Sequence, residues 1–154
     1  WHIPQGVPAG RRGTDIDHVV IGWGGVYKLN TKTHPGGRAS VVDRRLMVNA
    51  KPTHYLRNSQ HEAERAGRLL SQAVGFAVPI QSALVFLTGT RIPNVTIKQN
   101  PPDVRIYDRT DIPGVFKRAP HRIDDEQIAA IYEVARRCTT WTGSRACTCT
   151  AADG

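Results

Sequence analysis

An aspartate, an asparagine and a lysine stand where the surrounding pattern asks for apolar, strand-forming residues. The stretch is IDHVVIGWGGVYKLNTK, Ile16–Lys32, and the three residues are Asp17, Asn30 and Lys32. Together they suit a hard divalent cation. Mg2+ takes oxygen ligands, usually one or two carboxylates completed by water and substrate phosphate. Asp17 offers a carboxylate and Asn30 an amide oxygen. Lys32 adds a positive charge that can hold a water or stabilise charge growing on a phosphate. The same residues also suit a plainer role, the solvated end of a hairpin. Cross-strand Asp–Lys pairs there contribute roughly a few tenths of a kcal/mol.

The elements that would gather these residues are the two runs flanking Gly22-Trp23-Gly24-Gly25, read as strands Asp15–Ile21 and Gly25–Thr31. A two-residue turn on Trp23-Gly24 sets Asp17 opposite Asn30, Val19 opposite Lys28 and Asp15 opposite Lys32. Side chains alternate between faces along a strand. Asp15, Asp17, Asn30 and Lys32 then share one face, with opposed Cβ atoms about 4.5–5.5 Å apart. A three-residue turn would shift the register and loosen the group. His18 falls on the other face and reads as a core or structural histidine.

Trp1–Val7, broken by Pro4, reads as an edge strand. Ala39–Val42 and Arg45–Val48 form a second hairpin with Asp43 and Arg44 at its tip. The period then changes. Leu56, Ala63, Ala66, Leu70 and Ala73 recur at helical spacing, Ser59 and Glu62 match a capping box, and Gly75 is a C-terminal stop. These signs predict a helix over Gln60–Val74. Val78–Thr88 reads as a buried central strand, and Val95–Lys98 and Val104–Tyr107 as shorter ones. A second helix spans Asp124–Cys138, capped by Asp124, with Ile128, Ile131, Val134 and Cys138 as its apolar stripe. The pattern is a mixed α/β domain with one central sheet over residues 1–138, followed by a flexible tail, 139–154.

The chain has 154 residues and a net charge of +8, with a pI near 9.9. That balance favours an anionic partner. No apolar run approaches the roughly 18 residues of a membrane span, and no secretory leader pattern opens the sequence. Cys138, Cys147 and Cys149 make an odd set, not a disulfide framework, so a reduced, cytoplasmic setting is expected. Cys147-x-Cys149 without a second pair is a weak metal signal. Trp23 either stacks on a base or packs on the sheet. His34 reads as a surface loop residue.

The stretch GTDIDHVVIGWGGVYKLNTKTHPGG resembles the nuclease-related domain family, within the PD-(D/E)XK or restriction-endonuclease-like group. Asp17 matches the motif aspartate and Lys32 the motif lysine. Asn30 stands where the wider group carries Glu or Asp. YLRNSQHEAERAGRLL resembles the family helix, and Gln60 matches its Gln. The likeness extends more loosely through GFAVPIQSALVFL to NPPDVRIYDR. It implies a central mixed β-sheet flanked by helices and an Mg2+- or Mn2+-dependent nuclease acting on DNA, with RNA as a further possible substrate. Asp17 and Asn30 would hold the metal, Lys32 would assist water or phosphate, and Gln60 would position the phosphate. The family pattern opens with a helix bearing a Glu, whereas this sequence starts at Trp1, at the first strand.

Asn30 lacks the charge that draws hard cations. A carboxylate from another element would compensate. Glu62 and Glu64 are the candidates, and Glu64 is preferred because the capping box would occupy Glu62. Arg57, Arg65 and Arg68 on or beside the helix, with Arg38 near the hairpins, are expected to meet nucleic-acid phosphates. Two alternatives remain open. One is a catalytically silent nucleic-acid-binding module of the same fold. The other is an interaction module whose basic face docks an acidic protein or membrane surface.

Overall fold

A computed structural model describes residues 1–3, 17–34, 37–42, 45–87, 95–97 and 103–142. For Asp17, 95–97, Cys138 and Thr142 the description covers the backbone. Strands β1 (Asp17–Gly22) and β2 (Gly25–Thr33) form the expected hairpin. Asp17 faces Asn30, Val19 faces Lys28 and Gly22 faces Gly25, the register of a two-residue turn. Gly25 has φ +101°, and a Cβ there would sit 2.6 Å from the Pro79 carbonyl oxygen. Only glycine allows both that backbone and that approach.

Strands β3 (Ala39–Val42) and β4 (Arg45–Val48) pair as the second hairpin, and the short β5 (Lys51–Pro52) follows. Helix α1 spans Tyr55–Val74, and β6 (Ile80–Leu87), β7 (Val95–Ile97) and β8 (Val104–Asp108) come next. A 3-10 turn, Arg109–Asp111, leads into α2 (Ile112–Lys117). Helices α3 (Asp125–Ala135) and α4 (Cys138–Thr142) complete the described chain.

The strands form two sheets where the sequence predicts one. The main sheet has the order β1-β2-β6-β8, and the smaller has β5-β4-β3-β7. β2 pairs antiparallel with β1 but parallel with β6, and β6 is parallel to β8, so the main sheet is mixed. This mixed α/β architecture is that of a restriction-endonuclease-like domain.

Helix α1 begins at Tyr55, five positions before the predicted start at Gln60. Ser59 is not a cap. It lies fully buried within the helix, and its hydroxyl meets that of Ser82 at 2.6 Å. The N-cap position falls to His54, which makes no side-chain capping bond. Burying Ser59, Ala63, Ala66 and Leu70 against the sheet outweighs the local cap signal. Gly75 ends the helix in the left-handed conformation, as expected.

The α1 face of the sheet holds Val19, Ile21 and Val26, packed with Ala66, Leu70 and Ile131. Its other face packs Val20, Tyr27 and Leu29 around Ala119. Asp124 caps helix α3 as predicted, and Gln127 completes a reciprocal cap; the helix ends at Ala135, and Cys138, predicted on its stripe, opens α4. Trp141 on α4 is buried in the α1-side cluster, so the core extends past residue 138. Cys147 and Cys149 lie outside the described residues, as do Asp15, Arg44 and 4–7.

Candidate active site

β2 lies between β1 and β6, and its alternation sends Val26, Lys28, Asn30 and Lys32 to the α1 face. Three of these are polar, and all three are buried: Lys28 at 7% exposure, Asn30 at 5% and Lys32 at 5%. Burying a charge is costly unless it is paired, and α1 supplies the partners. Lys28 Nζ forms an ion pair with Glu62 Oε2. Lys32 Nζ lies 4.5 Å from the centroid of the Tyr55 ring, a cation–π contact. The Tyr55 hydroxyl is 3.3 Å from His34 Nε2, and the His34 ring stacks on Phe86.

Tyr55 and Glu62 are two helical turns apart, a rise of about 10.5 Å. Lys28 and Lys32 are about 13 Å apart along the strand. The two helix–strand contacts therefore straddle Asn30, roughly 6.6 Å along the strand from each lysine. Asn30 Oδ1 is buried and has no hydrogen-bond partner among the described residues. An orphaned buried acceptor costs about 1–3 kcal/mol. The backbone of Asp17 stands directly opposite.

The structure brings together Asn30, Lys32 and the backbone position of Asp17. Gln60 is placed elsewhere. Its Nε2 donates to Glu64 Oε1 at 3.1 Å, and it lines a cavity of about 330 Å3 with Ser82, Asp103 and Arg105. Positions 60 and 62 lie 200° apart around an ideal helix, at about 100° per residue, so they leave on opposite flanks. The same geometry corrects the preference for Glu64. Glu62 is the carboxylate that reaches the strand, whereas Glu64 is bonded to Gln60.

Arg57 and Arg68 are exposed on α1, and Arg38 is exposed before β3. Arg65 instead donates from Nη2 to the Trp141 carbonyl at 2.9 Å, which ties it to α4. His18 is exposed, not a core residue. His34, read from sequence as a surface loop residue, is half-buried against Tyr55 and Phe86. Trp23 donates from Nε1 to the Ala119 carbonyl and stacks on His121, so it packs on the fold.

Lys28 and Tyr55 adjoin Asn30 and Lys32 without being singled out from the sequence, and Glu62, ranked there behind Glu64, is the carboxylate that meets Lys28. Lys28 was legible by its parity with Asn30 and Lys32. Glu62 and Tyr55 required the true start of α1. Among the described residues no group of three or more His, Cys, Asp or Glu side chains is placed to hold a metal. In formal charge, Lys28 and Lys32 offset Asp17 and Glu62.

A family model described as the nuclease-related domain matches residues 1–87, a span that ends with β6. That span carries Asp17, Asn30, Lys32 and all of α1, and the chain belongs to the nuclease-related domain family. No curated protein and no solved structure matches the chain.

Proposed function

We propose that the chain is a nuclease that hydrolyses DNA phosphodiester bonds with the help of Mg2+ or Mn2+, at a site on the α1 face of β2. The observation that carries this reading is the buried, unpartnered Oδ1 of Asn30, in register with Asp17 and two positions from Lys32. The donor chemistry fits a hard cation. An amide oxygen without a hydrogen bond and the carboxylate of the residue in register with it are both oxygen ligands of the kind Mg2+ takes. Asp17 and Asn30 would hold the ion, which when bound supplies Lewis-acid polarisation of the phosphate and a more acidic water.

Lys32 is a preset cation. Tyr55 restrains its ammonium, and the low exposure strengthens its field. Its N–H groups would donate to a phosphate oxygen and stabilise the charge that builds there as the bond breaks. Asn30 is its neighbour on the same face of β2, and Phe86 stands opposite it on β6. Arg57, Arg68 and Arg38 would neutralise backbone phosphates without reading bases, giving binding that falls steeply with salt.

A second reading is a nucleic-acid-binding module without catalysis. It is favoured by Asn30 itself, since an amide in place of an acid leaves the site's charges balanced rather than negative. One assay separates the two. Wild type, Asp17→Asn, Lys32→Met and Asn30→Asp are compared on single- and double-stranded DNA with Mg2+ or Mn2+, with thermal melts as a folding control. Cleavage by wild type that is lost in Asp17→Asn and Lys32→Met supports the nuclease. An inert wild type with an active Asn30→Asp means the fold has lost its acid. No cleavage by any folded variant, with equal DNA binding, leaves the binding module.

A further inference from the structure

We infer that Glu62 supplies, from α1, the carboxylate that β2 lacks at Asn30, and that Lys28 holds this carboxylate in place when no divalent cation is bound. The assignment rests on the metal-dependent reading above and deepens it. Glu62 is on the flank of α1 that faces β2, and its Oε2 meets Lys28 Nζ. Lys28 and Asn30 project from the same face of the same strand, two residues apart. Between the Glu62 contact and the Tyr55 contact lies the orphaned Oδ1 of Asn30, more than nine-tenths buried.

Three elements would each supply an oxygen donor: β1 through Asp17, whose backbone is in register with Asn30, β2 through Asn30, and α1 through Glu62, which meets Lys28 two positions from Asn30. Hard cations are bound more tightly as carboxylate ligands are added. One carboxylate with an amide makes a poor site, and two carboxylates with an amide make an ordinary one. The ammonium of Lys28 occupies the counter-charge position that a divalent ion would take. Glu62 is 43% exposed at its side chain and Lys28 9%, so the carboxylate has the solvent access needed to exchange one cation for another.

The assignment makes Lys28 a competitor of the metal and Glu62 its ligand. The test measures Mn2+ binding by the loss of the free-ion electron paramagnetic resonance signal, with no substrate present. The proteins are wild type, Lys28→Met, Lys28→Met with Glu62→Gln, and Asn30→Asp. Lys28→Met is expected to bind Mn2+ about 10-fold more tightly than wild type. Adding Glu62→Gln to Lys28→Met is expected to weaken binding about 10- to 100-fold, the range seen when a group supporting a metal site is removed. The double variant removes both members of the pair together.

If Lys28→Met and Asn30→Asp bind Mn2+ but the double variant binds within about 2-fold of Lys28→Met, then Glu62 is only the counter-ion of Lys28. The inference falls in that case, while the metal-dependent reading stands. If none of the proteins binds Mn2+, Asn30→Asp included, the metal-dependent reading falls and takes the inference with it.

Discussion

Replacing Glu62 with Gln removes the counter-charge that α1 gives to Lys28. The cost can be worked from the two exposures. The Lys28 side chain is 9% exposed and that of Glu62 43%. Removing one partner of a fully buried pair costs about 3–5 kcal/mol, because the other charge stays in a poor solvent. A hydrogen bond to a charged group contributes about 1.5–3 kcal/mol. Water reaches Glu62, so the lower part of that range applies, about 2 kcal/mol. Lys28→Met is different. It replaces an ammonium with an apolar group of similar length inside the core, and the stranded Glu62 can hydrate. Its cost is about 0–1 kcal/mol. For a domain of this size each kcal/mol moves Tm by about 2–4 °C. Melts followed by circular dichroism in EDTA at pH 7 should therefore show Glu62→Gln lower by about 4–8 °C. Lys28→Met should stay within about 4 °C of wild type. Equal losses, or a larger loss in Lys28→Met, would refute the argument that the buried lysine is the member with most to lose.

Further outcomes follow from the same geometry. Gly25→Ala places a methyl against the Pro79 carbonyl at a φ of +101°, so it should lose at least about 2 kcal/mol in a urea titration. An unchanged midpoint would mean that the turn is not fixed as described. Burial raises the phenol pKa of Tyr27 and Tyr107 above 10.0, with each further affected by nearby charge. A phenol raised by folding contributes stability that is complete below the unfolded value near pH 10 and is lost as pH rises through the folded value. Tm should then fall as pH climbs past 10. The 295 nm absorbance of the native chain should titrate above the unfolded midpoint, and coincident midpoints would contradict this. Arg57→Gln with Arg68→Gln should weaken DNA binding at all sequences alike and make the log-affinity against log-salt slope shallower by about 1–2. An unchanged slope would remove those two side chains from the interface.

The hairpin was legible because its signals agree. Two β-rich runs, a glycine-rich turn and a single register all give Asp17 opposite Asn30. The second hairpin and the Asp124-capped start of α3 were legible for the same reason, whereas the break between Ala135 and Cys138 was not. The start of α1 was not legible. Ser59 and Glu62 satisfy a local capping pattern, but tertiary burial carries the helix back to Tyr55 and turns both residues inward. That one displacement hid the Tyr55–Lys32 contact and the reach of Glu62, rather than Glu64, toward β2. The second sheet was hidden for another reason. Sheet membership depends on the parallel pairing of β3 with β7, strands far apart in sequence, and hydrophobic period does not encode the partner of a strand.

Lys28 and Asn30 together constrain what the site is for. A central strand between two neighbours is most simply filled with apolar residues, as Val26, Leu84 and Phe86 fill the same face. Lys28 there requires a carboxylate from α1, and Asn30 carries an acceptor with no partner among the described residues. Neither arrangement helps the fold. Replacing a buried ion pair by apolar groups is often neutral or stabilising, and an unmet acceptor costs about 1–3 kcal/mol. Departures from a self-consistent core gather where function needs them. Both departures here lie on one face within three residues of β2, beside the position of Asp17 and the lysine that matches the family motif. A cation bound by Asn30 Oδ1 and Glu62 would meet the open acceptor and take over the charge that Lys28 now balances. The same loading would favour the folded chain by mass action. Saturating Mn2+ should therefore raise the Tm of Lys28→Met, and it should leave the Tm of Lys28→Met with Glu62→Gln nearly unmoved.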